Sequence, residues 1–127
     1  MKSTILNTEQ KILEAAQVTF LRFGFHGTKI QQIAETAKVN KSVIHYYYRT
    51  KENLYKAILQ KIIQYIELSC LTDKNTQEEN EKVKWFFYTE MYNNKCLFEK
   101  TFKELYPVDW RERVNRLLIL FQIKKIF

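Results

Sequence analysis

Residues 28–51, TKIQQIAETAKVNKSVIHYYYRTK, decide the fold of this chain. Ile30, Ile33, Ala34 and Ala37 recur at helical spacing and line one face of a short helix. Val39 and Asn40 break that helix, and Asn40 stands where a cap is expected for the next, from Lys41 to about Tyr48. Two short helices across so tight a break, the second basic and polar outward, fit a helix-turn-helix. Ala34 is small where the two helices must approach closely, and Ile33, Val39 and Ile44 fill the wedge between them. Ile44 and Tyr48 share the inward face of the second helix. Lys41, Ser42, Val43 and His45 lie on or beside the other, which suits donors to base edges and phosphates.

Upstream, Thr8 to Phe23 reads as a first helix with Thr8 as N-cap and Lys11 departing from a capping box. Ile12, Leu13, Ala16, Phe20 and Phe23 form its apolar stripe, and Gly24 ends it, with Gly27 in a short turn. Thr28 is a cap candidate for the helix that follows. Downstream, Thr50 caps a fourth helix through Leu54, Ala57, Ile58, Lys61, Ile62 and Tyr65. Thr72 to Glu81 is polar and charged, a linker and helix start. Val83 to Asn93 and Cys96 to Tyr106 form two more helices, the second ended by Pro107, and Asp109 caps a last one through Leu117, Leu118, Phe121 and Ile123.

The sequence holds only Gly 2 and Pro 1 in 127 residues, too few breakers for a many-stranded sheet, so an all-α fold is expected. Formal net charge is +7, which suits a polyanionic partner. The excess is concentrated in the opening stretch, where Lys29, Lys38, Lys41, Arg49 and Lys51 face the single acid Glu35. Cys70 and Cys96 lack metal-ligand or CxxC spacing and read as free buried thiols of a reducing compartment. The N-terminus has no apolar signal core, and Leu117 to Phe121 is too short to span a bilayer, so a cytoplasmic protein without membrane contact is expected. His26 and His45 have no carboxylate or cysteine at ligand spacing. No nucleophile–base pair and no phosphate-cradling glycine loop is present, so no catalysis, metal or cofactor is expected.

The run ILEAAQVTFLRFGFHGTKIQQIAETAKVNKSVIHYYYRTKENLYKAIL resembles the DNA-binding head of the tetracycline-repressor (TetR) family. The resemblance rests on Ala15-Ala16, Phe20, Gly24, Gly27-Thr28, Ile33-Ala34, Val39, Tyr46, the aromatic Tyr48, and Lys51-Glu52 with Leu54. It implies that Thr28 caps the second helix and touches a phosphate, and that Lys41, Ser42, Val43 and His45 face the major groove. It further implies that Tyr46 presses on the sugar-phosphate backbone and that Lys51 meets a phosphate. With Lys29, Lys38, Asn40 and Tyr47 these complete the candidate DNA-binding set. Two departures stand out. Lys38 occupies a turn position where glycine is usual and φ > 0 is expected, at a cost of about 1 kcal/mol. Ser42 and Val43 stand where glycine and threonine are frequent, so base preference does not carry over.

The resemblance also implies a double-stranded DNA operator, a homodimer, and repression relieved by a small apolar effector. Residues 5–65 are assigned to the head with its connecting helix, and 66–127 to a shortened helical regulatory and dimerisation bundle. Within the bundle, Trp85, Tyr88, Met91, Tyr92, Phe102 and Trp110 are the candidate effector pocket, although each taken singly reads as ordinary bundle core. Two rival functions fit the same residues. One is a truncated, interaction-only regulator that titrates a full-length partner, and the other is a basic helix protein of RNA or membrane surfaces.

Overall fold

The computed structural model describes residues 7–72 and 77–120, without the side chains of 69–72 and 77–80. Every regular element among them is helical: α1 (Thr8–Gly27), α2 (Ile30–Ala37), α3 (Lys41–Tyr48), α4 (Lys51–Thr72), α5 (Gln77–Asn93), α6 (Lys95–Leu105) and α7 (Trp110–Leu120). They divide into two compact units, Met1–Lys74 and Asn75–Phe127. The boundary expected at 65/66 lies inside α4. The expected run of α7 through Phe121 and Ile123, and the Cys70 thiol, lie outside the described residues.

In the first unit α1 packs on α2 and α4, while α3 packs on α2 and α4. The cap of α1 is Asn7 rather than Thr8. The Asn7 Oδ1 accepts from Gln10 N at 2.8 Å, and Gln10 Oε1 accepts from Asn7 N at 3.2 Å. The capping box is therefore complete one residue earlier than expected, and Lys11 has no part in it. Gly24 interrupts α1 with φ 73° and ψ −179°, a region that is essentially glycine's alone. That break turns Phe25 into the core, where its ring meets Phe20 and Tyr55 at 6.4 and 5.1 Å. Phe23, expected on the apolar stripe, is instead exposed, with the Arg22 guanidinium 5.2 Å from its ring. Ile12, Ala16, Phe20, Ile33, Leu54, Tyr55, Ile58 and Leu59 are almost wholly buried, a core sufficient to fix three short helices against α4.

In the second unit α5 packs on α6, and α6 on α7. Phe86, Phe87, Met91, Phe98, Phe102, Val114, Leu117 and Leu118 are buried. Phe87, Phe98 and Phe102 meet as successive aromatic pairs at 5.6 and 5.1 Å. Asp109 stands before α7 as expected, its backbone carbonyl accepting from Arg113 N, while its carboxylate holds Arg113 Nε at 3.2 Å. Cys96 is free but exposed, because it falls on the first turn of α6 facing away from Phe98 and Phe102. Among the described residues no helix is long and apolar enough to cross a membrane.

Candidate nucleic-acid interface

The turn between α2 and α3 is built by hydrogen bonds that its sequence dictates. Lys29 N donates to Gln32 Oε1 at 2.9 Å, so the α2 start is capped by its own third residue. At the other end, Lys38 adopts φ 61° and ψ 46°. Val39 N donates to Ala34 O at 3.0 Å and Lys38 N to Glu35 O at 3.3 Å, the paired closure of a Schellman motif. The left-handed residue expected at this position is there, and it is a lysine. Asn40, extended at φ −79° and ψ 152°, then starts α3 through its backbone carbonyl, which accepts from Val43 N at 3.0 Å. Its side chain makes no capping bond.

Helix α3 is seated by Ile44, which is 3% exposed, and by the half-buried Val43 and Tyr48. Lys41, Ser42, His45, Tyr46 and Tyr47 are exposed. Tyr46 is the extreme case at 72%, its ring edge-on to Tyr47 at 5.2 Å. An open depression of about 630 Å³ runs beside these side chains. It gathers Lys38, Asn40, Ser42, Val43, Tyr46 and Tyr47 from the candidate set, with Glu35 as its acid and Thr8, Ala34 and Val39 completing its lining. Lys41 and His45, four residues apart, occupy the adjoining exposed strip of the same helix.

Two members of the set are placed differently. Thr28 does not cap α2, whose N-cap position is Lys29. It is 1% exposed, and its hydroxyl donates to Gly24 O at 2.7 Å, with Thr19 O at 3.3 Å. The hydroxyl therefore closes the break at Gly24, a carbonyl-satisfying task that the spacing Gly24-x-x-x-Thr28 could have revealed. Lys51 is half-buried, its ammonium 4.2 Å from the Phe25 ring centroid.

Sequence reasoning missed the exit from α3. Arg49 has φ 70° and ψ −53°, and Thr50 N donates to Tyr48 O at 2.7 Å, which makes a γ-turn of the rare positive-φ kind. Asn53 Nδ2 donates to the same carbonyl at 2.9 Å, and Asn53 N to Thr50 Oγ1 at 3.0 Å, so Thr50 caps α4 as expected. The Tyr48 hydroxyl lies 3.5 Å from the Glu9 carboxylate. Burial, followed by the nearby Glu9 charge, pushes its pKa up to about 12.

Among the described residues, the six side chains expected to line one effector pocket fall in three places. Met91 and Phe102 pack with Phe87, Phe98, Val114, Leu117 and Leu118, leaving no room for a water molecule. Trp85, Tyr88 and Tyr92 form an exposed ladder along α5, with Tyr88 and Tyr92 stacked at 6.2 Å. Trp110 lines a separate depression with Lys95, Lys103 and Arg111.

A compact helical head with a short exposed helix seated on a tight left-handed turn defines a helix-turn-helix protein. Residues 12–58 match the family described as bacterial regulatory proteins, tetR family. The chain is 48% identical over 63 residues to the HTH-type transcriptional regulator RutR of Escherichia coli, covering 49% of this chain and 30% of RutR. It is 28% identical to the HTH-type transcriptional regulator QacR of Staphylococcus aureus, covering 75% of this chain and 61% of QacR. A crystal structure of a HlyIIR mutant protein superposes with a TM-score of 0.60 at 26% identity, covering 87% of this chain and 69% of that one. The family match lies within the first unit and spans its helix-turn-helix. The chain spans about a third of RutR and less than two thirds of QacR.

Proposed function

We propose that the chain is a DNA-binding transcriptional regulator: a repressor that acts as a homodimer on a duplex operator and is released by a small-molecule effector. The observation that carries the reading is the presentation of α3. Anchored by Ile44, this helix offers Lys41, Ser42, His45 and Tyr46 to the outside together, beside a depression containing Lys38 and Asn40. Lys41 and Lys38 supply charge for phosphates, Ser42 and His45 supply hydrogen-bonding groups for base edges, and Tyr46 supplies a ring and hydroxyl for the sugar-phosphate backbone. The relatives are named as transcriptional regulators, and the tetR-family match at residues 12–58 spans this same helix. A dimer would place two such helices in successive major grooves, about 34 Å apart.

The test is selection of bound fragments from a random duplex pool, followed by gel shifts with the winning sequence. The wild-type chain enriches a two-fold symmetric site, while Lys41→Ala and Tyr46→Ala lose most of the shift. A chain that enriches nothing, or variants that shift as the wild type does, would refute the reading and favour an interaction-only protein. Sedimentation that stays monomeric on the selected duplex would remove the homodimer.

A further inference from the structure

We propose that the cleft between α6 and α7 is a binding site for a small organic anion, a carboxylate or phosphate ester on a compact apolar body. The cleft has a volume of about 370 Å³. That lies toward the small end of the roughly 300–1,000 Å³ typical of ligand pockets. Three cations, Lys95, Lys103 and Arg111, line it against the single carboxylate of Glu99, and Trp110 and the buried Val114 supply the apolar wall. Lys103 Nζ stands 4.9 Å from the Trp110 ring centroid and the Arg111 guanidinium 5.2 Å from it.

That arrangement determines the chemistry of the ligand. Lys103 and Arg111 are each held near the Trp110 ring, so less side-chain freedom is lost when an anion arrives. A guanidinium offers a carboxylate or phosphate two parallel donors, and an ammonium adds a point charge beside it. Trp110 and Arg111, which line the cleft, stand on the first turn of α7, where the helix dipole favours negative charge and Glu112 already supplies one. Glu99 opposes the accumulation of further negative charge, which selects against an extended polyanion and for a compact one. The lining of the cleft therefore points to an anion, rather than a neutral apolar molecule, as the effector of the proposed regulator. As an effector site the cleft rests on the regulatory reading; as a binding site it rests on its own geometry.

The experiment uses the full chain. Benzoate, hexanoate and phenyl phosphate are titrated by calorimetry and by tryptophan emission in a Trp85→Phe background, with benzamide and benzylamine as neutral and cationic counterparts. At least one anion should bind at a single site with a Kd of about 1 mM or tighter. Benzamide should bind about tenfold more weakly, Lys103→Gln and Arg111→Gln should each weaken the anion about tenfold, and Glu99→Gln should tighten it. All three positions are at the surface of the cleft, and circular dichroism verifies that the variants keep their helices. Failure of every anion to bind, binding that survives both cation substitutions, or quenching of Trp110 by random duplex but by no small anion would overturn the proposal. A parallel gel shift separates the two readings. Anion binding without duplex binding refutes the regulator and leaves the cleft standing, and the converse refutes the cleft alone.

Discussion

Replacing Lys38 by glycine separates the strain of the turn from its electrostatics. Lys38 holds φ 61° and ψ 46°, with its amide committed to Glu35 O and the next amide to Ala34 O. A side chain in this left-handed region costs about 1–2 kcal/mol, which glycine would relieve. Against that, a glycine freed in the unfolded chain loses about 0.4–1 kcal/mol of extra entropy on folding. The Schellman hydrogen bonds are backbone bonds and survive, so Lys38→Gly should stabilise the first unit by a net amount of about 0.5–1 kcal/mol. Lys38→Ala retains the strain and should leave stability nearly unchanged. Both variants remove the same charge from the depression beside α3. If Lys38 meets a phosphate, each should lower the salt slope of duplex binding by about 1. Urea titration followed by helical circular dichroism reads the first effect, and anisotropy across a salt series reads the second. A glycine variant that unfolds at lower urea than the alanine variant would refute the strain argument, and an unchanged salt slope in both would remove Lys38 from the phosphate set.

Three further outcomes follow from single residues. Gly24→Ala forces a side chain into φ 73° and ψ −179°, and should cost the head about 1–3 kcal/mol in thermal or urea unfolding. Thr28→Val keeps the shape but deletes the donor to Gly24 O, and should cost about 1 kcal/mol in the same assay, with duplex affinity per folded molecule unchanged because the hydroxyl is internal. The Tyr48 hydroxyl, ordinarily near 10, is raised to about 12 by burial and Glu9, so the folded chain retains a proton that the unfolded chain releases. Stability is therefore whole below pH 10 and falls as pH rises toward 12, and Tyr48→Phe should flatten that part of the alkaline unfolding profile relative to wild type.

Much of the head was legible because its elements are marked by local chemistry. The short apolar repeats of α2 and α3, the break at Val39-Asn40 and the cap at Thr50 each declare a boundary without reference to the rest of the chain. The positive φ at Lys38 came instead from the family resemblance, in which glycine usually holds that turn position. What periodicity could not supply was the consequence of a break. Once Gly24 leaves helical geometry, the stripe that would have buried Phe23 is rephased, and Phe25 becomes the core residue against Phe20 and Tyr55. Arg49 escaped because nothing about an arginine announces a γ-turn; the turn is imposed by Asn53 and Thr50 tying the end of α3 to the start of α4. In the second unit the aromatic residues were visible but their sides were not. Helical spacing places Trp85, Tyr88 and Tyr92 on one strip of α5 and Met91 on another, and only packing decides which strip is covered.

Amide chemical-shift mapping with the selected duplex tests most directly whether α3 meets DNA with its outer side chains. The largest shifts should fall on Lys38 to Tyr47, with the interior of α4 around Leu54 to Ile58 little affected. Shifts confined to the second unit, with Lys41, His45 and Tyr46 unmoved at saturation, would contradict it.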